Sequence, residues 1–309
     1  MSISQSTPRS LPLVLNLGLV YLLWGATVPA MRVGVQTLPP FAMTALRFTI
    51  AGLAVWTYVR LRGTPLPTRR EWLGAAITGT LLLGFGNGAF AWAAQYIPAG
   101  IGSLFFCLSP VWMMIFGYAL LGERIPALGI AGIVFGIGGM IYLLVPSLTG
   151  AQGTVHVAVV PSLIGLCCAL TFGLGSVIGR RFESTDLMQT SSMQMLVAGA
   201  GLTLVTLVSG EHLTVAQFTP AAIGALAFLI VGGSVIGFSS FLWLVRRAPV
   251  TLAGTYAFVN PIIAIAIGVI LLHERLTMHV VAAAAIVIAG VALMIIAPKP
   301  APLARIAPR

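Results

Sequence analysis

The chain has 309 residues, of which 59% are hydrophobic and only 7% charged, and its formal net charge is +10. So little polar surface cannot cover a water-soluble globule of this length, which excludes a soluble enzyme or binding module. The Lys and Arg residues are scattered at the ends of apolar runs rather than gathered into a stripe, so the charge marks a lipid surrounding and no nucleic-acid partner.

A tail, residues 1–12, precedes a first apolar segment, Leu13 to Val35, that carries Tyr21-Leu22-Leu23-Trp24-Gly25. Val28-Pro29-Ala30 loosely imitates a signal-peptidase site, but the segment has the length of a spanning helix rather than of a secretory core. Segment two, Phe41 to Leu61, holds Arg47, and a polar connection, Arg62 to Glu71, leads into segment three, Trp72 to Ala94, with Gly86-Asn87-Gly88 and Trp92. Segment four, Ala99 to Leu121, contains Ser109-Pro110, and segment five, Ala127 to Val145, presents Gly132, Gly136 and Gly139. A Gly-, Ser- and Thr-rich linker, residues 146–156, joins the two halves. Segment six, Val157 to Gly179, carries Phe172, segment seven, Leu187 to Ser209, carries Gln194, and segment eight, Ala221 to Val245, carries Trp243. Segment nine, Thr251 to Leu272, holds Tyr256 and Asn260-Pro261, and segment ten, Thr277 to Ile296, is followed by a tail, residues 297–309. Each segment approaches the roughly 20 residues that a helix needs to cross a bilayer core.

The halves, residues 13–145 and 157–296, repeat one another. Pro98, Pro110, Gly117, Leu120 and Glu123-Arg124 recur 151 positions later as Pro249, Pro261, Gly268, Leu271 and Glu274-Arg275. A duplicated apolar unit of this kind predicts a transporter with its site where the repeats meet. Five helices per half force the second copy to enter the membrane from the opposite side. The predicted fold class is therefore an all-α polytopic membrane protein, ten transmembrane helices arranged as two inverted five-helix repeats. With the amino terminus in the cytoplasm, thirteen of the sixteen cations fall inside, only Arg32 and Arg275 fall outside, and Arg47 lies within segment two. The positive-inside bias places both termini in the cytoplasm.

Several of these motifs match a known family. Tyr21 to Gly25, Leu46-Arg47-Phe48 followed by Ala51-Gly52, and the paired Leu121-Gly122-Glu123-Arg124 and Leu272-His273-Glu274-Arg275 resemble EamA-type proteins of the drug/metabolite transporter superfamily. Gly86-Asn87-Gly88 and Tyr256 with Asn260-Pro261 make the chain look most like the bacterial YedA-type members. The resemblance implies a bacterial inner-membrane transporter in which helices one to four and six to nine surround a central cavity while five and ten pack at the periphery. It also implies export of small organic metabolites, such as amino acids or related neutral or zwitterionic compounds, by alternating access. It leaves the cargo itself open.

Seven side chains are candidates for binding a small-molecule substrate: Trp24, Arg47, Asn87, Trp92, Phe172, Tyr256 and Asn260. Arg47 is the one cation well inside a segment; it either meets cargo or reaches the interface and neighbouring carbonyls as part of the frame. Its repeat counterpart is Gln194, so the charge is one-sided. Asn87 must find a partner in lipid, lining the cavity or bonding a neighbouring helix. Tyr256 and Asn260 share one helix face, and Pro110 and Pro261 each free a carbonyl that needs a new partner. Trp24 and Phe172 occupy matching points of the halves, and Trp92 is balanced between the cavity and the interfacial belt. All six carboxylates, Glu71, Glu123, Glu183, Asp186, Glu211 and Glu274, fall at loops or helix ends, so a proton exchange through a buried acid with cationic drugs is not expected. Cys107, Cys167 and Cys168 read as small core residues, the histidines as loop or end residues, and no metal, nucleotide or other cofactor motif appears. The small residues of segments five and ten fit a contact within one chain, a monomer, with homodimerisation through the same face as the alternative. A membrane enzyme acting on a lipid or polyprenyl phosphate would need converging His, Asp, Glu or Arg side chains, and a passive pore would need polar rings; neither pattern stands out.

Overall fold

A backbone in lipid has no water to bond, so each run of the chain must satisfy its own N–H and C=O groups, and the apolar segments fold as helices. The computed structural model describes residues 10–149, 158–182, 186–247, 252 and 255–297. Both tails beyond these limits, most of the linker, and Arg9, Glu183 and Pro249 lie outside the described residues. The described residues hold nine apolar helices long enough to span: α1 (Leu11–Gly34), α2 (Pro40–Leu61), α3 (Arg69–Ala93), α4 (Ala99–Leu121), α5 (Ala127–Ser147), α6 (Val159–Gly179), α7 (Leu187–Ser209), α8 (Pro220–Leu244) and, last in the chain, α10 (Met278–Ile296). Between α8 and α10 lies a shorter apolar helix, α9 (Tyr256–Leu271). The expected start of segment nine, Thr251, lies outside the described residues.

The helix ends are set by residues readable in the sequence. Thr68 and Glu71 form a reciprocal capping box at the start of α3, and the Asp186 carboxylate accepts from the Met188 amide at 2.8 Å at the start of α7. Thr219 and Thr277 cap α8 and α10 through the amides of Ala222 and Val280. The C-terminal turns use the left-handed backbone that glycine tolerates best, at Gly63 (φ 72°), Gly122 (φ 69°) and Gly210 (φ 71°). His273 adopts the same conformation, with φ 53°, at the place that Gly122 fills in the first repeat. A side chain there costs roughly 1–2 kcal/mol.

The close contacts obey the inverted duplication. A Cβ on Gly52 would strike Leu196, and one on Gly199 would strike Thr49; Gly52 matches Gly199 and Thr49 matches Leu196 in the repeat, so α2 and α7 cross on the pseudo-twofold axis. Gly25 meets Ile263 as Gly173 meets Trp112, which packs α1 on α9 in the same way as α6 on α4. At the periphery α5 lies against α10, where Gly132 faces Gly290 and Met294, and Gly139 faces Val287. The small-residue face of α5 is thus occupied within the chain by α10. Small residues drive this contact because lipid supplies no hydrophobic force between helices and packing has to.

One reading changes. Cys107 and Cys168 are buried, but Cys167 is exposed, because successive helix residues are about 100° apart and a neighbour of buried Cys168 turns outward.

A candidate cargo cavity between the repeats

The central helices are irregular where they meet. α1 breaks at Ala26 between the helical runs Ser10–Gly25 and Thr27–Gly34, and α4 breaks at Leu108 between Ala99–Cys107 and Ser109–Leu121. α3 widens into a π-helical stretch over Thr80–Ala89, and α8 does so over Leu229–Ile236. Gly84, Gly86 and Gly88 in the first and Gly232 and Gly233 in the second leave the backbone room for this wider turn, which is frequent at functional sites. Pro261 lacks the N–H that would bond the Ala257 carbonyl one turn earlier. That carbonyl is bonded instead by the Cys107 thiol of α4, at 3.1 Å.

These irregularities enclose a cavity of about 180 Å³, a size for a small organic molecule. Six of the seven candidate residues line it: Trp24, Arg47, Asn87, Phe172, Tyr256 and Asn260. Trp92 does not; its ring packs on Tyr96, centroids 5.1 Å apart, near the end of α3. Aromatic rings form one wall, with Trp24 packed 5.1 Å from Tyr256 and 6.1 Å from Phe238, and the Trp24 indole N–H fixed to the Gly233 carbonyl at 3.1 Å. The Asn87 side-chain amide bonds the Leu82 carbonyl in the π-helical stretch of its own helix at 3.1 Å, rather than reaching a neighbouring helix. Gln194, the counterpart of Arg47, is tied to the Thr78 hydroxyl at 2.7 Å.

Arg47 is the charged member of the cavity wall. It is only 5% exposed, its Nε donates to the Ser234 hydroxyl at 3.1 Å, and its guanidinium lies over the Phe48 ring. Among the described residues its Nη1 has no hydrogen-bond partner, and the one ion pair there, Arg180 with Glu123, lies elsewhere. Two acceptor-capable atoms of the wall are also unpartnered, the Ser109 hydroxyl and the Asn260 side-chain oxygen. The arrangement therefore offers a cation, two hydrogen-bonding oxygens and an aromatic face to whatever enters. Ser103, Ser109 and Ser234 complete this polar set, and the sequence reading did not single out their hydroxyls. Among the described residues no group of His, Cys, Asp and Glu could hold a metal.

Comparison with known proteins accords with this architecture. The family model of the EamA-like transporter family matches residues 12–145 and 160–296, the two repeats. The chain is 33% identical over 270 residues to the "Uncharacterized inner membrane transporter YedA" of Escherichia coli K12, covering 86% of this chain and 85% of that protein. It is 26% identical to the "Uncharacterized transporter YvbV" of Bacillus subtilis, covering 91% of this chain and 90% of that one. It is 24% identical to a "Probable amino-acid metabolite efflux pump" of Salmonella typhimurium, covering 88% and 91%. A solved structure titled "Crystal structure of protein", 23% identical in sequence, superposes with a TM-score of 0.64 over 92% of this chain and 96% of that one, a likeness of fold. With both repeats matched and a relative above 30% identity over most of its length, the chain belongs to the EamA-like transporter family, and it is a membrane transporter rather than an enzyme.

Proposed function

We propose that this transporter exports a small metabolite bearing a carboxylate, such as a neutral or zwitterionic amino acid or a related compound, by alternating access of the central cavity. The observation that carries the reading is the buried Arg47 guanidinium, with Nη1 unpartnered on the cavity wall. A guanidinium held in a low-dielectric site without a counter-ion is costly, and a carboxylate entering beside it gains a charge-assisted hydrogen bond. The aromatic wall accepts an apolar body, and the Asn260 oxygen accepts from an N–H of the cargo. The relatives named as amino-acid metabolite efflux pumps support the same class of cargo. The purified protein in liposomes, screened against labelled amino acids and other metabolites, should transport members that carry a carboxylate. It should leave lipophilic cations behind, because no described carboxylate lines the cavity to exchange a proton for them.

The proposed location is the bacterial inner membrane with both termini in the cytoplasm, supported by the cation bias and by the name of the YedA relative. The grouping of helix ends is consistent with this topology. Arg70 and Arg181 reach backbone carbonyls on the face that carries the Arg180–Glu123 pair. Arg32, Glu211 and Glu274 make their contacts at the other face. A reporter fused after Arg309, or placed between Arg62 and Glu71, is expected to report cytoplasm. A periplasmic signal from either contradicts this orientation.

A further inference from the structure

The turn between α2 and α3 and the turn between α7 and α8 are built alike. Gly63 and Gly210 take the same left-handed backbone, and Thr68 and Thr219 cap the helix that follows each. Their charges are not copied. Residues 56–73 hold four arginines, Arg60, Arg62, Arg69 and Arg70, whereas residues 203–223 hold no Lys or Arg. The fold of this turn therefore does not require the arginines. Nor does the sign of this membrane face require four of them in one turn. Contacts of Arg70 with the Arg181 carbonyl and of Arg180 with Glu123 bring the turn between α4 and α5 to the same face, and that turn carries Arg124 alone.

The four side chains divide by role. Arg60 is a strut: it lies over Trp56, 4.5 Å from the ring centre, and donates to the Pro65 carbonyl at 3.2 Å and to the Gln189 side-chain oxygen of α7. Trp56 in turn packs on Trp72 of α3, centroids 5.8 Å apart. Arg62, Arg69 and Arg70 are exposed. Among the described residues the side chains of Arg62 and Arg69 make no hydrogen bond or ion pair, Arg62 lying over the Tyr58 ring at 5.3 Å, and Arg70 reaches the Arg181 carbonyl at 3.4 Å. The one carboxylate of the turn, Glu71, is engaged by the Thr68 amide and hydroxyl at 2.7 and 2.9 Å. Trp56, Tyr58 and Trp72 fix the depth, because tryptophan and tyrosine concentrate at the boundary of lipid and water. Leu66, 78% exposed, lies in the loop outside both helices, and Leu61 and Leu73 are exposed at the two helix ends. Cations without a counter-charge beside exposed apolar surface at that depth suit a molecule with an anionic head and a hydrocarbon tail.

We propose that this turn is a binding site for an anionic phospholipid. Arg62, Arg69 and Arg70 hold the phosphate head, an acyl chain runs along Leu61, Leu66, Leu73 and Trp72, and Arg60 shapes the loop without touching the lipid. Basic residues immediately outside a spanning helix attract anionic headgroups, and guanidinium groups add charge-assisted hydrogen bonds to phosphate oxygens. The site belongs to the first repeat alone and lies off the cargo cavity, so its failure leaves the carboxylate reading untouched.

The test uses tryptophan fluorescence of the whole chain in phosphatidylcholine vesicles that contain either brominated phosphatidylglycerol or brominated phosphatidylcholine, since bromine quenches the rings that it touches. Trp56 and Trp72 report the site, and the combined Trp56→Phe and Trp72→Phe variant supplies the background. The parent should prefer phosphatidylglycerol about fivefold. Arg62→Gln, Arg69→Gln and Arg70→Gln together should bring that ratio to about one. Lys299→Gln, Arg305→Gln and Arg309→Gln together remove as much charge from the carboxyl-terminal tail and should leave the ratio unchanged. If the triple variant at the turn does not fold, the parent decides alone: its preference should fall to about one as salt rises from about 0.05 to about 0.5 M. At constant ionic strength inorganic phosphate should not displace the lipid. No preference in the parent, an equal loss in both triple variants, a preference unmoved by salt, or displacement by inorganic phosphate each overturns the lipid site.

Discussion

Replacing Arg47 with Gln should weaken binding of a carboxylate cargo about 10- to 100-fold while the amount of folded protein stays near that of the parent. A hydrogen bond to a charged group contributes about 1.5–3 kcal/mol, and the glutamine loses the charge that makes it so. The fold should survive because the guanidinium makes one side-chain hydrogen bond, to Ser234, and carries a desolvation cost that the substitution removes. Cargo binding and thermal unfolding of the purified variant check the two halves of this expectation. A lower melting temperature with unchanged cargo affinity would mean that Arg47 belongs to the frame.

A second large effect is expected where α2 crosses α7. In Gly199→Val the new Cβ would stand 2.9 Å from the Thr49 backbone nitrogen and 3.1 Å from its Cα, atoms that cannot move without shifting the helix. Overpacking of this kind costs about 1–3 kcal/mol or more, and it falls on the axis that relates the repeats. The yield of monodisperse, folded protein should drop about tenfold by the conversion of roughly 1.4 kcal/mol per decade. Gly201→Ala, two residues away with no atom within 4 Å of the added carbon, should leave yield unchanged. Equal yields for the two variants would remove the close crossing from the account.

Much of this frame was open to reading in the sequence because lipid permits so few solutions. Apolar length marked the helices, the recurrence of Pro98 to Arg124 at Pro249 to Arg275 marked the duplication, and an odd number of helices per copy required inversion. The matched glycine contacts, Gly52 with Leu196 and Gly199 with Thr49, show that inversion in three dimensions. The details of the cavity wall were less accessible. That Arg47 has no counter-ion among the described residues depends on every helix that surrounds it, and no local pattern encodes an absent neighbour. The thiol of Cys107 bonding the carbonyl freed by Pro261 depends on the adjacency of α4 and α9, 150 positions apart. Asn87 found its acceptor in its own helix only because the backbone widens there, and such a widening has weak sequence signals beyond clustered glycines. Cys167, by contrast, was within reach: two consecutive residues on a spanning helix rarely both face inward.

The central claim is that the cavity recognises a carboxylate, and the most direct measurement compares cargo that differs in that group alone. In proteoliposomes preloaded with a transported amino acid, counterflow of its labelled form should be inhibited by the unlabelled acid and not by the corresponding carboxamide, which keeps the size and the amino group but offers no charge to Arg47. Equal inhibition by acid and carboxamide would contradict the account.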